Sequence, residues 1–122
     1  MSIIFGVGES EVRRGPGMYL GGYTRLGKTG TQGELLLTNK RLVFLVSEKT
    51  GPLGLGGKRT NVIFNVPLAN VTMARMEETG LVRKSKELVL TFEDWGMLQN
   101  PRFKIEDPEG WVTAIQAMLG RA

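Results

Sequence analysis

The sequence predicts a mainly β domain in which about seven antiparallel strands are followed by one C-terminal α-helix. Three observations lead to this prediction: a β-hairpin pattern at residues 33–46, further short apolar segments, and an amphipathic helix pattern at residues 108–119. The chain has 122 residues, which suits one domain with its own hydrophobic core.

The hairpin pattern consists of two apolar runs on either side of a polar group, residues 38–41. Asn39 tolerates a positive φ, so Asn39 and Lys40 can form the centre of a tight turn. This turn places Leu37 opposite Leu42, and a slip by one residue would exchange the two faces of the sheet. Cross-strand partners share a face. One face therefore carries Leu35, Leu37, Leu42, Phe44 and Val46, and the other carries Leu36, Val43 and Leu45 among polar residues.

Short apolar segments before and after the hairpin predict the other strands. The first strand follows a predicted bend at residues 15–17. Alternation in the strand after the hairpin predicts that Val62 and Phe64 share a face, and Pro67 should end that strand. Residues 93–101 are expected to form a loop. The predicted strand segments are Met18–Tyr23, Asn61–Val66, Val71–Met76, Glu87–Phe92 and Phe103–Ile105.

The C-terminus carries the clearest helix signals. Asp107 suits the N-cap, Pro108 suits the first helical position, and Gly120 suits the end of the helix. So short a helix is marginal on its own, and we expect it to dock on the sheet. The apolar residues that would share one helix face are Trp111, Val112, Ile115, Met118 and Leu119.

The central hairpin also contains a spaced motif made of Gly33, Leu35, Leu37, Thr38, Asn39, Arg41, Leu42 and Phe44. This motif resembles the hairpin of the pleckstrin-homology-like (PH-like) superfamily, and in particular of GRAM domains, bacterial and archaeal PH-like domains, and GLUE domains. The resemblance implies a PH-like barrel of antiparallel strands capped by the C-terminal helix in residues 11–122. Residues 1–10, a small apolar group followed by two glycines and Glu9, would form an N-terminal arm or an extra edge strand. Members of the superfamily bind lipids, proteins or both, so the resemblance predicts a fold and only a class of activity.

Composition argues against catalysis. The chain has no cysteine and no histidine, which removes thiolate chemistry, cysteine-ligated zinc and the commonest general base. The neighbouring acid pairs are typical of solvated turns, and no set of nucleophile, base and orienting group can be recognised. We therefore expect a non-catalytic binding module without a cofactor or a metal ion.

The first functional hypothesis is weak binding to an anionic membrane surface, since the chain has a formal net charge of +4. In the PH-like superfamily the loops after strands one, three and six gather at one end of the barrel. The resemblance thus implies that basic residues and Trp95, with Met97 and Leu98 beside it, surround one rim. The first loop holds few basic residues, which does not favour tight phosphoinositide binding. The candidate lipid-binding residues are Arg25, Lys28, Lys49, Lys58, Arg59 and Trp95.

The alternative hypothesis is a protein-interaction adaptor, because GLUE-type members include ubiquitin binders. Leu36, Val43 and Leu45 would form the binding patch for ubiquitin, for another protein or for a second copy in a homo-oligomer, unless the N-terminal arm covers them. Nucleic acid is not an expected partner, because no RNA-binding signature is present. No apolar run suits a signal peptide or a membrane span, so we expect a cytoplasmic protein, peripheral to the membrane under the lipid hypothesis.

Overall fold

The structure, a computed structural model, describes residues 5–24, 29–49, 58–80 and 85–120, apart from the side chains of residues 47–49 and 58–61. Within these ranges one curled antiparallel sheet forms a half-barrel, and one α-helix packs against it. The strands follow the spatial order β4-β3-β2-β1-β8-β6-β5, with β7 paired to β6. The elements are β1 Glu11–Gly21, β2 Thr31–Thr38, β3 Arg41–Lys49, β4 Lys58–Pro67, a 3-10 turn Leu68–Asn70, β5 Val71–Thr79, β6 Ser85–Asp94, β7 Met97–Gln99, β8 Arg102–Ile105 and α1 Pro108–Leu119.

The predicted fold class is confirmed, and the extra strand has a simple cause. β7 and β8 both pair with β6, and they correspond to one strand that is interrupted at Asn100 and Pro101. Pro101 has no N–H to donate to a ladder. Its carbonyl oxygen still accepts a hydrogen bond from the Leu90 N–H at 3.0 Å. The interruption therefore leaves the sheet continuous along β6.

The predicted hairpin register is confirmed, because Leu35 pairs with Phe44 and Leu37 pairs with Leu42. The turn is stabilised differently from the prediction, since Asn39 does not adopt a positive φ. Instead, the Thr38 hydroxyl oxygen accepts hydrogen bonds from the N–H groups of Lys40 and Arg41, at 3.1 and 3.0 Å. Hydrogen bonds to the Thr38 side chain thus stabilise the turn, which does not need a residue with positive φ.

The inner face of the half-barrel contains the main core. Aromatic rings of β1, β3, β4, β6 and β8 contact one another here, with centroids 5.0 to 6.4 Å apart. Gly33 lies on this face, and a Cβ there would be 2.6 Å from the Phe44 ring and 2.5 Å from the Leu45 carbonyl oxygen. The absence of a side chain at Gly33 therefore makes room for the Phe44 ring.

Three of the predicted local features are wrong. Residues 15–17 continue β1 and do not form a bend. Pro16 is tolerated there because it lies one residue beyond the last β1–β8 pair, Gly17 with Ile105. Residues 93–99 belong to the tight β6–β7 hairpin and do not form a long loop, and Asn100 and Pro101 connect β7 to β8. Val62 does not share a face with Phe64, because a β-bulge shifts the β3–β4 register and leaves Val62 half exposed on the outer face.

The predicted C-terminal helix is confirmed at residues 108–119. Asp107 caps it, with the carboxylate oxygen Oδ1 accepting a hydrogen bond from the Gly110 N–H at 3.2 Å. Trp111, Ile115 and Met118 are buried, so this face of α1 packs on the sheet. The division into an arm at residues 1–10 and a domain at residues 11–122 stays a prediction.

Candidate functional site

The strand directions bring three strand connections to the same end of the sheet. β1, β3 and β6 are mutually parallel by their pairings, so all three end there, and β2, β4 and β7 begin there. We call this the loop end. The opposite end, with the β2–β3 turn and the start of α1, is the helix end.

Hydrogen bonds join the segment after β1 to the β6–β7 hairpin and to Asn100 after it, at the loop end. The Tyr23 hydroxyl donates to Asp94 Oδ2 at 3.2 Å, and the Thr24 N–H donates to Gln99 Oε1 at 3.1 Å. The Asn100 N–H donates to the Gly22 carbonyl oxygen, also at 3.1 Å. The start of the β1–β2 connection is therefore fixed beside the hairpin that carries Trp95.

The tip of the β6–β7 hairpin is built from two residues with positive φ, Trp95 at 52° and Gly96 at 78°. Two-residue hairpin turns of this kind favour Asn and Gly, whereas a bulky residue with positive φ is strained. The Trp95 side chain is 83% exposed, and Met97 and Leu98 beside it are also exposed. The loop end thus presents a large apolar side chain on a strained backbone position.

The basic candidates of the loop end are only partly within the described residues. Lys49 lies opposite Lys58, and Arg59 lies opposite Glu48, in the last pairs of the β3–β4 ladder. These positions belong to the end of β3 and the start of β4, and the structure describes their backbone only. The other two candidates, Arg25 and Lys28, lie outside the described residues. Of the six predicted lipid-binding residues, the structure describes the side chain of Trp95.

The candidates of the protein-binding hypothesis form a small second cluster on the outer face of the β2–β3 hairpin. Leu36, Val43 and Leu45 are buried there, and Phe5 from the segment before β1 packs against them. A partner would reach these three side chains only if Phe5 moved away. Their role in protein binding stays a prediction.

A polar cluster at the helix end is absent from the sequence-based predictions. The Glu9 side chain is 3% exposed, and its carboxylate accepts hydrogen bonds from Arg41 Nε at 2.8 Å, Arg41 Nη2 at 3.1 Å and the Thr38 hydroxyl at 2.6 Å. The hydrogen bonds from Arg41, with further ones from Thr38 and the Gly6 N–H, lower the pKa of Glu9 from 4.5 to about 2 although burial opposes the shift. Glu9 and Arg41 are far apart in sequence, and no local pattern indicates their pairing.

A cleft of about 300 Å³ also lies at the helix end, between β1 and the start of α1. Arg13 fills part of it, with the guanidinium 5.3 Å from the centroid of the Trp111 ring and 2.9 Å from Asp107 Oδ2. The hydrogen bond from Arg13 lowers the pKa of Asp107. Arg13 and Asp107 thus neutralise each other within the chain, which fits a structural role for Arg13.

Neither a metal centre nor a membrane-spanning helix is present in the part of the chain that the structure describes. Within the described ranges, no three acidic side chains come close enough together to hold a metal ion. In the same part of the chain, no helix combines the length and apolar character needed to cross a bilayer.

The half-barrel of antiparallel strands with one C-terminal helix is the PH-like fold. Among solved structures, the chain is similar to a "Vps36 N-terminal PH domain", with a TM-score of 0.56 and 13% sequence identity over 96% of this chain and 86% of that one. No protein-family model matches the chain, and no curated protein matches it. At this level of identity the similarity establishes the fold alone.

Proposed function

We propose that the protein is a non-catalytic binding module that attaches weakly to anionic membrane surfaces through its loop end. The observation that carries the proposal is Trp95, a large apolar side chain that is 83% exposed at a hairpin tip with positive φ. Strained backbone positions cluster at functional sites, where an interaction outside the fold offsets their cost. An interfacial tryptophan is such an interaction, because a bilayer surface accommodates both its apolar ring and its N–H group.

The surroundings of Trp95 support a membrane contact. Met97 and Leu98 extend the exposed apolar surface on the same hairpin. The sequence places Arg25 and Lys28 between β1 and β2, and Lys58 and Arg59 at the start of β4. Each basic residue near an anionic surface contributes about 1 kcal/mol, so the expected affinity of one domain is low. Stable recruitment would then require a second attachment that acts at the same time.

Composition supports the absence of catalysis in this proposal. The chain has no histidine and no cysteine, so acid–base or nucleophilic chemistry would depend on carboxylates, lysine, serine or tyrosine. The strongly shifted carboxylate, Glu9, has a lowered pKa and is held by Arg41, which suits a structural ion pair more than a general base.

Sedimentation with liposomes tests the proposal. We expect wild-type protein to sediment with vesicles that contain phosphatidylserine at low salt, and to lose this binding at high salt or with neutral vesicles. Lys58→Glu/Arg59→Glu and Trp95→Ala should each reduce binding. The proposal would be contradicted if the wild type does not bind at low salt, or if both variants bind as well as the wild type.

Matched controls separate a site at the loop end from a general effect of charge or apolar surface. Lys86→Glu/Lys104→Glu changes the net charge by the same amount at exposed positions away from the loop end. Val7→Ala removes an exposed apolar side chain near the helix end. Both controls should bind as the wild type does.

A further inference from the structure

The N-terminal segment, residues 5–10, lies on the β2–β3 turn in the manner of a bound peptide. Its Glu9 carboxylate reaches Arg41 and Thr38 and is almost fully buried. Two N–H groups of one guanidinium bind the two carboxylate oxygens, which is the bidentate geometry used for specific carboxylate recognition. Glu9 is therefore a charged anchor of the segment.

The backbone of the segment is held by side chains of the turn. Asn39 Nδ2 donates to the Gly8 carbonyl oxygen at 2.9 Å, and Asn39 Oδ1 accepts from the Ser10 N–H at 2.9 Å. Lys40 Nζ donates to the Val7 carbonyl oxygen, again at 2.9 Å. These contacts involve main-chain atoms of the segment, so they would hold any peptide of suitable conformation.

Phe5 provides an apolar anchor four residues before Glu9. It packs on the outer cluster of Leu36, Val43 and Leu45, each of which is buried. The surface thus makes two distinct demands on a bound peptide. It needs an aromatic side chain for the apolar cluster and a carboxylate for the Arg41 guanidinium, with main-chain contacts between the two. Together they define what an occupant of this surface needs.

We propose that the β2–β3 hairpin carries an acceptor site for a turn-forming peptide with an aromatic residue followed four positions later by a glutamate. The chain's own N-terminal segment, in which the Glu9 N–H donates to the Gly6 carbonyl oxygen at 3.1 Å, fills this site as a tethered ligand. The occupant from outside is a segment of another polypeptide with the same two anchors. It must compete with a tethered segment whose effective concentration is high, so the closed chain binds it weakly. This site is at the helix end and is independent of the membrane contact.

The test uses a fluorescently labelled peptide of residues 5–12 and full-length proteins, with binding followed by fluorescence anisotropy. Phe5→Ala/Glu9→Ala removes both anchors from the tethered segment and leaves the acceptor residues unchanged. We expect this unlatched variant to bind the peptide at least about tenfold more tightly than the wild type, because the competing segment is weakened. The control Val7→Ala/Glu106→Ala alters one exposed apolar and one exposed acidic residue and should bind as weakly as the wild type.

Changes in the peptide test the anchors without changing the protein. Peptides with Phe5→Ala or Glu9→Gln should bind the unlatched variant at least about tenfold more weakly than the unchanged peptide. Thermal unfolding establishes that the unlatched variant is folded, and Glu9→Gln alone takes its place if it is not. The proposal is overturned if a folded unlatched protein binds no better than the wild type, or if the peptide binds equally well without its glutamate.

Discussion

The two tryptophans of the chain occupy opposite ends of the sheet and opposite environments. Trp111 is 2% exposed on α1 at the helix end, whereas Trp95 is 83% exposed at the loop end. The Trp111 ring packs near Gly15 and lies under the Arg13 guanidinium. One residue type thus contributes to the core at one end of this domain and is exposed to solvent at the other.

The largest expected effect is at the helix end. Trp111→Ala removes a fully buried ring and should lower the free energy of unfolding by about 3–5 kcal/mol, the usual cost of deleting a large core aromatic. Urea denaturation followed by circular dichroism measures this change. An unfolding midpoint equal to that of the wild type would show that α1 does not contribute to the core.

Glu9→Gln tests the contact of Glu9 with Arg41 and Thr38 at the helix end. It removes a charge that is hydrogen-bonded to Arg41 and Thr38, and should lower the free energy of unfolding by about 2 kcal/mol at neutral pH. The matched exposed substitution, Glu106→Gln, should change it by less than about 0.5 kcal/mol. Equal effects of the two substitutions would contradict a specific role for Glu9.

The lowered pKa of Glu9 makes the stability difference between the wild type and Glu9→Gln depend on pH. Its folded-state pKa is lowered from 4.5 to about 2, so the ionised form is the one that stabilises the fold. The contribution is fully present above pH 4.5 and is lost as the pH falls toward 2. The stability difference between wild type and Glu9→Gln should therefore shrink over this range, and a difference that stays constant would argue against the ion pair.

The smallest expected effect has the opposite sign and is at the loop end. Trp95→Asn places a residue that tolerates positive φ at the hairpin tip, and should raise the free energy of unfolding by about 0.5–1 kcal/mol. The same substitution should weaken binding to anionic vesicles, because the interfacial ring is lost. A variant that is less stable than the wild type would mean that Trp95 contributes to the fold.

The features predicted correctly from the sequence depend on local patterns. The pairing of Leu37 with Leu42 follows from the alternation of apolar residues on either side of one turn. The helix follows from the N-cap Asp107, from Pro108 at the first helical position and from the apolar residues on one helix face. The strand after the hairpin was placed correctly, but its alternation could not reveal that a bulge turns Val62 outward. Bulges are set by how neighbouring strands pack, and a single strand's pattern does not encode them.

Contacts between distant parts of the chain were the least predictable. The Glu9 carboxylate binds Arg41 only because the segment before β1 lies across the β2–β3 turn. Trp95 was recognised as a candidate from its residue type, but its positive φ depends on the tight β6–β7 turn, which the sequence suggested was a longer loop. Trp95 lies near the segment after β1 because of the order of the strands in the sheet. Local sequence patterns do not predict this order, and the resemblance to the PH-like superfamily implied it.

The fluorescence of Trp95 in the presence of vesicles tests the membrane proposal most directly. In a Trp111→Phe variant, emission comes from Trp95 alone, since the chain has two tryptophans. With phosphatidylserine vesicles at low salt, we predict a shift of emission to shorter wavelength and quenching by brominated acyl chains, as for an interfacial ring. In Trp95→Asn, where only Trp111 emits, neither change should occur. Unchanged Trp95 emission in a protein that still sediments with these vesicles would contradict a membrane contact at the loop end.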